Sequence, residues 1–293
     1  MKNYTDYVRE LRQTFRQGAK IAPDAQGSIF ETLGEHPIKS APLNVLIFAP
    51  HPDDECIVGL LPLRLMSECG AKITDIAVTL GSKISRRAER REELESACRY
   101  LGWNLHICGE NSQGLDAVRP DTRANDPARW RKYVDEIAKI LEENAPDAIF
   151  APNPNDWNAT HIGTSLLVSD AVEKSGYSQL VFQTEFWGGL KTGNLMVEAS
   201  PELIAAQMRA LSLHVKEVER NDYHLRLPAW MCDNVRRGAE LVGGQGAAAP
   251  HFDFATLYNA VRFDGSKWEQ VYDAKFLPLT SRADSILSFG AAK

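Results

Sequence analysis

Apolar residues near the start of the chain recur at helical spacing, at Tyr4, Tyr7, Val8, Leu11 and Phe15. Residues 3–17 are therefore predicted to form an amphipathic helix that docks on the body or on another subunit. An irregular stretch follows from Gln17 to Pro42, and then the pattern changes. Short apolar runs predict strands over Leu43–Ala49, Ile73–Leu80, Leu105–Cys108, Ala148–Ala151 and Leu180–Phe186. Between them, helical periodicity covers Ile57–Cys69, Arg86–Leu101, Pro127–Glu143 and a segment starting near Thr160. A further strand (Leu195–Ala199) and helix (Pro201–Glu219) precede a less regular region reaching Phe263. The Gly-rich stretch 243–250 reads as a tight loop at a site mouth or a subunit contact.

Alternation of strand and helix predicts a doubly wound, mostly parallel, Rossmann-like α/β sheet with helices on both faces. Residues 1–40 read as an N-terminal helical extension, and 41–293 as a single α/β domain that includes a C-terminal extension. With the first strand central, the strand at Ala148 can be its neighbour on the side where the winding reverses. Ligands of such sheets lie in that crevice, beyond the carboxyl ends of the strands.

Both strands run into polar, Pro-containing loops. The first, Pro50-His51-Pro52-Asp53-Asp54-Glu55, packs an imidazole and three carboxylates together; the second, from Pro152 to His161, carries its own His. A hydrolytic divalent metal such as zinc needs about three His or carboxylate ligands, an open position, and a free carboxylate close by. His51, Asp54 and His161 fit the ligand set, and Asp53 fits the general base. Glu55 suits a supporting or helix-capping role. A plain capped helix would also explain acidic residues after a strand, but the second loop with its His at the switch point favours the metal.

The formal charge of −6 over 293 residues argues against a nucleic-acid or anionic-membrane binder. Five widely spaced cysteines suit reduced thiols rather than a disulfide framework. A polar N-terminus and no long apolar stretch make a cytoplasmic protein the expectation. Trp157 and Trp187 fall in or near loops, where aromatic walls could stack on a sugar ring. The basic run Arg86, Arg87, Arg90 and Arg91 reads mainly as a solvated helix face paired with Glu89, Glu92, Glu93 and Glu95. Ser82 and Lys83 are weaker ligand-side candidates.

The residues Ala49-Pro50-His51-Pro52-Asp53-Asp54-Glu55, with His161-Ile162-Gly163 far downstream, resemble the LmbE-like (PIG-L) de-N-acetylase family. Arg90, Glu93, Ala97 and Leu101-Gly102 resemble its pattern in the helix after the second strand, so the likeness spans roughly residues 43–220. The resemblance implies a zinc ion, or another divalent metal, on His51, Asp54 and His161, with Asp53 as base. It implies hydrolysis of an acetamido group on an N-acetylglucosamine-type amino sugar, and it makes Arg90 a substrate contact. Where many members carry an oxyanion-stabilising His, this chain has Asn158, which donates a hydrogen bond without charge. His214, His224 or His251 could supply a cation instead, or the metal could carry more of the load.

The expectation is a zinc-dependent N-deacetylase with a small amino-sugar substrate and a possible homo-oligomeric assembly. An amidase on a larger sugar or thiol conjugate, and a sugar-binding module without turnover, are the alternatives. A nicotinamide or flavin enzyme is disfavoured, because no Gly-x-Gly-x-x-Gly follows the first strand.

Overall fold

Nine strands form one sheet in a computed structural model that describes residues 3–34, 42–176, 178–186 and 188–287. Strands β1 (Asn44–Ala49), β2 (Lys72–Ala77), β3 (Asn104–Ile107), β4 (Ala148–Pro152) and β5 (Gln179–Thr184) are parallel, in the order β3-β2-β1-β4-β5. The first strand thus lies between β2 and β4, the arrangement that opens a crevice beyond their carboxyl ends. Four more strands continue the sheet: β6 (Leu195–Glu198), β7 (Ala255–Phe263), β8 (Trp268–Gln270) and β9 (Lys275–Leu277). Strand β7 is antiparallel to both β5 and β6, so part of the expected C-terminal extension is a central, almost fully buried strand.

The helices are α1 (Tyr4–Gly18), α2 (Ile29–Leu33), α3 (Leu61–Cys69), α4 (Arg87–Leu101), α5 (Pro120–Asn125), α6 (Pro127–Asn144), α7 (Ala159–Ser175), α8 (Pro201–Ser212), α9 (Val215–Arg220) and α10 (Leu227–Gly243). Side-chain alternation along β1 sorts them into two layers. Val45 and Ile47 join Leu61, Leu63, Leu94 and Leu203, from α3, α4 and α8, in one core. Leu46 and Phe48 join Trp130, Ile137, Leu167 and Val168, from α6 and α7, in the other. Both faces of the parallel strands are therefore covered, which is why these strands read as continuous apolar runs.

Several boundaries differ from the sequence reading for local reasons. The first core helix starts at Leu61, because Asp54–Cys56 form a 3₁₀ turn and Gly59 lies at φ +87°. A Cβ at Gly59 would come within 2.3 Å of the Tyr258 hydroxyl, which bonds Val58 O and Leu61 N at 3.1 Å each. Tyr258 on β7 thereby pins the loop that follows β1. The helix expected over Pro201–Glu219 is two helices that break at Leu213 and His214. The strand expected over Ile73–Leu80 ends at Ala77, where the chain turns towards the ligand side.

Helix α1 forms as its periodicity requires, with Asn3 capping its first turn. It does not dock its apolar face on the body: none of its residues is buried, and Tyr4, Tyr7, Val8 and Leu11 are exposed. It meets the body at its far end, where the Arg226 guanidinium sits 4.7 Å from the centre of the Phe15 ring. None of the described helices is long and apolar enough to cross a membrane. The four cysteines at 56, 69, 98 and 108 are buried and free, as expected, while Cys232 is exposed.

Candidate metal centre

The two loops meet. Beyond β1 the chain turns at Pro50–Pro52, and the Asp54 carboxylate oxygen Oδ2 accepts the His51 backbone N–H at 2.9 Å. That same oxygen lies 3.1 Å from His51 Nδ1 and 3.1 Å from His161 Nε2. The two imidazole nitrogens are 3.3 Å apart. Four-coordinate zinc with bonds near 2.0–2.1 Å separates neighbouring ligand atoms by about 3.3 Å in a regular tetrahedron. The triangle of donor atoms therefore has the dimensions of one face of such a site.

The donor chemistry fits a cation as well. Asp54 and His161 are fully buried, and Asp54 Oδ1 and His161 Nδ1 lack a hydrogen-bond partner. Burial opposes ionisation of Asp54, but the His161 and His51 rings hold its carboxyl well below the usual range. Burial likewise opposes charge on His161, yet Asp54 and Asp156 raise its pKa to about 10. An enclosed cluster this rich in carboxylate calls for a positive charge, which a divalent ion supplies without protonating the rings.

His161 projects from the first turn of α7, whose N-cap is Asn158. The helix approaches the neighbouring loop closely, since a Cβ at Gly163 would meet Val118 O at 2.3 Å; this gives the Gly of His161-Ile162-Gly163 a packing reason. Behind His161, Asp156 Oδ2 stands 3.4 Å from Nδ1 and accepts the Gly188 N–H at 2.9 Å, while Oδ1 accepts the Asn158 N–H at 2.8 Å. A carboxylate on the outer nitrogen fixes ring orientation in metal-binding histidines. Burial would raise Asp156, but the adjoining His161 ring and the bonds from these two amides keep its pKa low.

Asp53 is not part of the triangle. It adopts φ +105°, rare for a residue with a Cβ. Its Oδ2 accepts the Tyr223 hydroxyl at 2.7 Å, and Oδ1 lies 3.6 Å from Arg90 Nη2. Burial and the Asp54 charge push its pKa up to about 7, against Arg90, His214 and the Tyr223 hydroxyl, which lower it. A carboxylate poised there can both accept and return a proton near neutral pH.

These groups open on a cavity of about 500 Å³. His51, Asp53, Ser82, Arg90 and Asn158 line one side, and α9 closes the other with Glu217, Arg220 and the following Asn221. The lining is predominantly polar. Arg90 donates to Pro52 O at 2.5 Å, so it shapes the base loop as well as the wall.

Several expectations are redrawn by this geometry. Asn158 lines the cavity, but its Oδ1 is committed to capping α7 by accepting Thr160 N–H at 2.9 Å. Trp157 is 77% exposed and does not line the cavity, while Trp187 lies outside the described residues. None of the three histidines weighed as alternative cations, at 214, 224 and 251, lines the cavity. His214 is fully buried against Glu55, His224 lines a separate apolar pocket beside Gly18 and Ile21, and His251 is exposed in a loop. The cationic side chains that reach the wall are Arg90 and Arg220.

The basic run of α4 is also less of a solvated face than expected. Arg91 pairs along the helix with Glu95 at 2.8 Å, but Arg86 reaches Glu217 at 2.8 Å and Arg87 reaches Asp116 at 2.5 Å. The sequence reading missed Asp156, Tyr223, Glu217 and Arg220. Asp156 had a usable signal, an acid five positions before the ligand His in the same polar loop. The other three carried none, because their approach depends on the break after α8.

Comparison with known proteins agrees with this architecture. Residues 46–172 match the family described as PIG-L: GlcNAc-PI de-N-acetylase. Teicoplanin deacetylase in its zinc-inhibited form superposes with a TM-score of 0.54 at 16% identity, over 76% of this chain and 100% of that one. N,N'-diacetylchitobiose deacetylase from Pyrococcus horikoshii gives 0.51 at 17% identity, over 90% and 94%. The 4-carboxy-2-hydroxymuconate hydratase of Pseudomonas putida gives 0.51 at 12% identity, over 74% and 95%. At these identities the structural likeness establishes the fold. No curated protein matches the chain.

Proposed function

We propose, taking residues 46–172 as a PIG-L family segment, that this protein is a metal-dependent N-deacetylase that hydrolyses the acetamido group of an N-acetylated amino sugar or its conjugate. Because the same fold also occurs in a hydratase, the reaction is argued from the site rather than from the fold. The observation that carries it is the donor triangle of His51, Asp54 and His161, with Asp53 held beside it but outside it.

A divalent ion, when bound, would be held by these three residues and would supply the charge that polarises an amide carbonyl and acidifies water. Asp53, in its ionised form, takes a proton from the attacking water. As the carbon–nitrogen bond breaks, the same carboxyl returns that proton to the departing amine, giving acetate and a free amino group. Asn158 Nδ2 is a neutral donor on the cavity wall for the carbonyl oxygen, since Oδ1 is occupied by the helix cap. Asp156 fixes the His161 ring, and Arg90 steadies both Pro52 O and the base.

The predominantly polar wall and a volume of about 500 Å³ suit a mono- or disaccharide bearing several hydroxyl groups better than an apolar amide. Amine release from N-acetylglucosamine, N,N'-diacetylchitobiose and phosphorylated N-acetylglucosamine, measured with zinc or cobalt added back to metal-free protein, tests the reading. Metal-dependent release from at least one of them is expected. Absence of release from all, with metal bound, would overturn it.

A further inference from the structure

We propose that Glu55 and His214 form a buried positioning pair that sets the backbone of the base Asp53, an inference that rests on the deacetylase reading for its kinetic consequence. Neither residue lines the cavity, and both are inaccessible to solvent. Glu55 Oε2 accepts the Asp53 backbone N–H at 2.8 Å. Its other oxygen, Oε1, lies 2.6 Å from His214 Nε2 and accepts the Cys56 thiol at 3.1 Å. The chain separation between the two partners is 159 residues, so the contact ties the turn after β1 to the break between α8 and α9.

The need for this tie lies in the conformation of Asp53. At φ +105° a residue with a Cβ carries local strain that the surroundings must sustain. A free turn at this position relaxes towards negative φ, which would swing the carboxylate away from the cavity. The Glu55 carboxylate opposes that rotation by holding the Asp53 N–H, and it can do so only while its own rotamer is fixed. His214 fixes it, because an Nε2–H donor at 2.6 Å in a dry interior is a strong, directional bond to a carboxylate.

The segment beginning at His214 makes a second contact with the same turn. Nine residues on, the Tyr223 hydroxyl donates to Asp53 Oδ2, and α9 between them carries Glu217 and Arg220 to the cavity wall. One stretch of chain thus fixes the base twice, at its backbone through Glu55 and at its carboxylate directly. Glu55, the acidic residue after the two aspartates, and the break between α8 and α9 are two halves of one device.

The test compares His214→Gln, which keeps a donor close to the Nε2 position, with His214→Leu, which removes it. Zinc content, melting temperature, kcat, KM and hydrogen exchange of the Asp53 amide are measured on the full chain with N-acetylglucosamine as probe, or whichever of the panel above the wild type turns over. His214→Leu is expected to lower kcat about 100-fold through misplacement of the base, with KM and zinc content within about twofold of wild type. His214→Gln is expected to retain kcat within about fivefold, and the Asp53 amide should exchange markedly faster only in the Leu variant. Equal kcat in the two variants, unchanged amide exchange in His214→Leu, or loss of zinc would each overturn the pair's role. Should His214→Leu fail to fold, Glu55→Met carries the test: with no acceptor left for the Asp53 N–H, it should lower kcat similarly and speed exchange of the Asp53 amide. Wild-type kcat or wild-type amide exchange in Glu55→Met would contradict the proposal. Exchange of the amide is read without any substrate, so a wrong deacetylase reading and a wrong positioning pair fail separately.

Discussion

Two charged clusters, one on helix α3 and one at the loop before it, are satisfied to different degrees. On the helix itself, the fully buried Arg64 donates to both Glu68 oxygens, at 2.6 and 3.4 Å, and to the carbonyls of Glu198, Leu277, Pro278 and Ser281 at 2.7–3.3 Å. Glu68 in turn accepts the Ala283 N–H at 2.8 Å, so this cluster stitches β6, the end of β9 and the C-terminal turn to α3. In the cluster formed by the loop before α3 and the first turn of α7, Asp54 Oδ1 lacks a hydrogen-bond partner, His161 Nδ1 has only the long 3.4 Å approach of Asp156, and the two imidazole nitrogens face each other across one oxygen. A polar cluster kept for stability meets its own hydrogen-bonding needs. One kept for chemistry retains donor capacity for something else.

The difference can be broken at either end. The largest expected effect is on the open cluster: His161→Ala should abolish metal retention and lower kcat/KM by about 10³-fold or more, with little change in melting temperature. Metal content and circular dichroism measured together check it. Next, Arg64→Met should do the opposite, destabilising the fold by about 3 kcal/mol in urea unfolding because Glu68 and four carbonyls lose their donor. Its metal content and activity per folded molecule should be unchanged. If Arg64→Met released the metal while His161→Ala only lowered stability, the two clusters would have exchanged roles.

Asp53→Asn should retain the metal but lower kcat by about 10²–10⁴-fold, since the amide cannot take a proton. Smaller still is the effect of Tyr223→Phe. The Tyr223 hydroxyl stabilises ionised Asp53, so its removal raises the base's pKa, and the base works only when ionised. The acid limb of kcat/KM, which falls at or below pH 7 in the wild type, should therefore move upward by about 0.5–1 unit. An unchanged or downward-shifted limb would contradict the assignment. The smallest effect separates the two jobs of Asn158: Asn158→Asp keeps the cap and removes the amide donor, so stability should stay within about 0.5 kcal/mol while kcat falls about tenfold.

Much of the parallel half was readable because its strands are buried on both faces and its helices carry one apolar stripe. Val45 to Phe48 predict a central strand, and the loops after β1 and β4 predict the ligand side, so His51, Asp54 and His161 could be placed together from spacing alone. The C-terminal half was less legible for definite reasons. Strand β7 follows a Gly- and Pro-containing stretch and pairs antiparallel with β5, a partner about 75 residues upstream that no local pattern announces. The break at Leu213 and His214 interrupts a segment whose apolar periodicity is continuous, because a buried bond to Glu55 outweighs helix propensity there. Through that break Tyr223 reaches Asp53, and Glu217 and Arg220 reach the cavity wall. The Arg residues at the start of α4 misled in the same way, since their partners Glu217 and Asp116 come from other elements.

The central claim is that His51, Asp54 and His161 together hold one cation. Titrating metal-free protein with Co²⁺, and following its visible absorption to saturation, tests this most directly. One equivalent per chain is expected, with a four- or five-coordinate spectrum that disappears in His161→Ala and persists in Asp53→Asn. No site in the wild type, or one that His161→Ala leaves intact, would contradict the account.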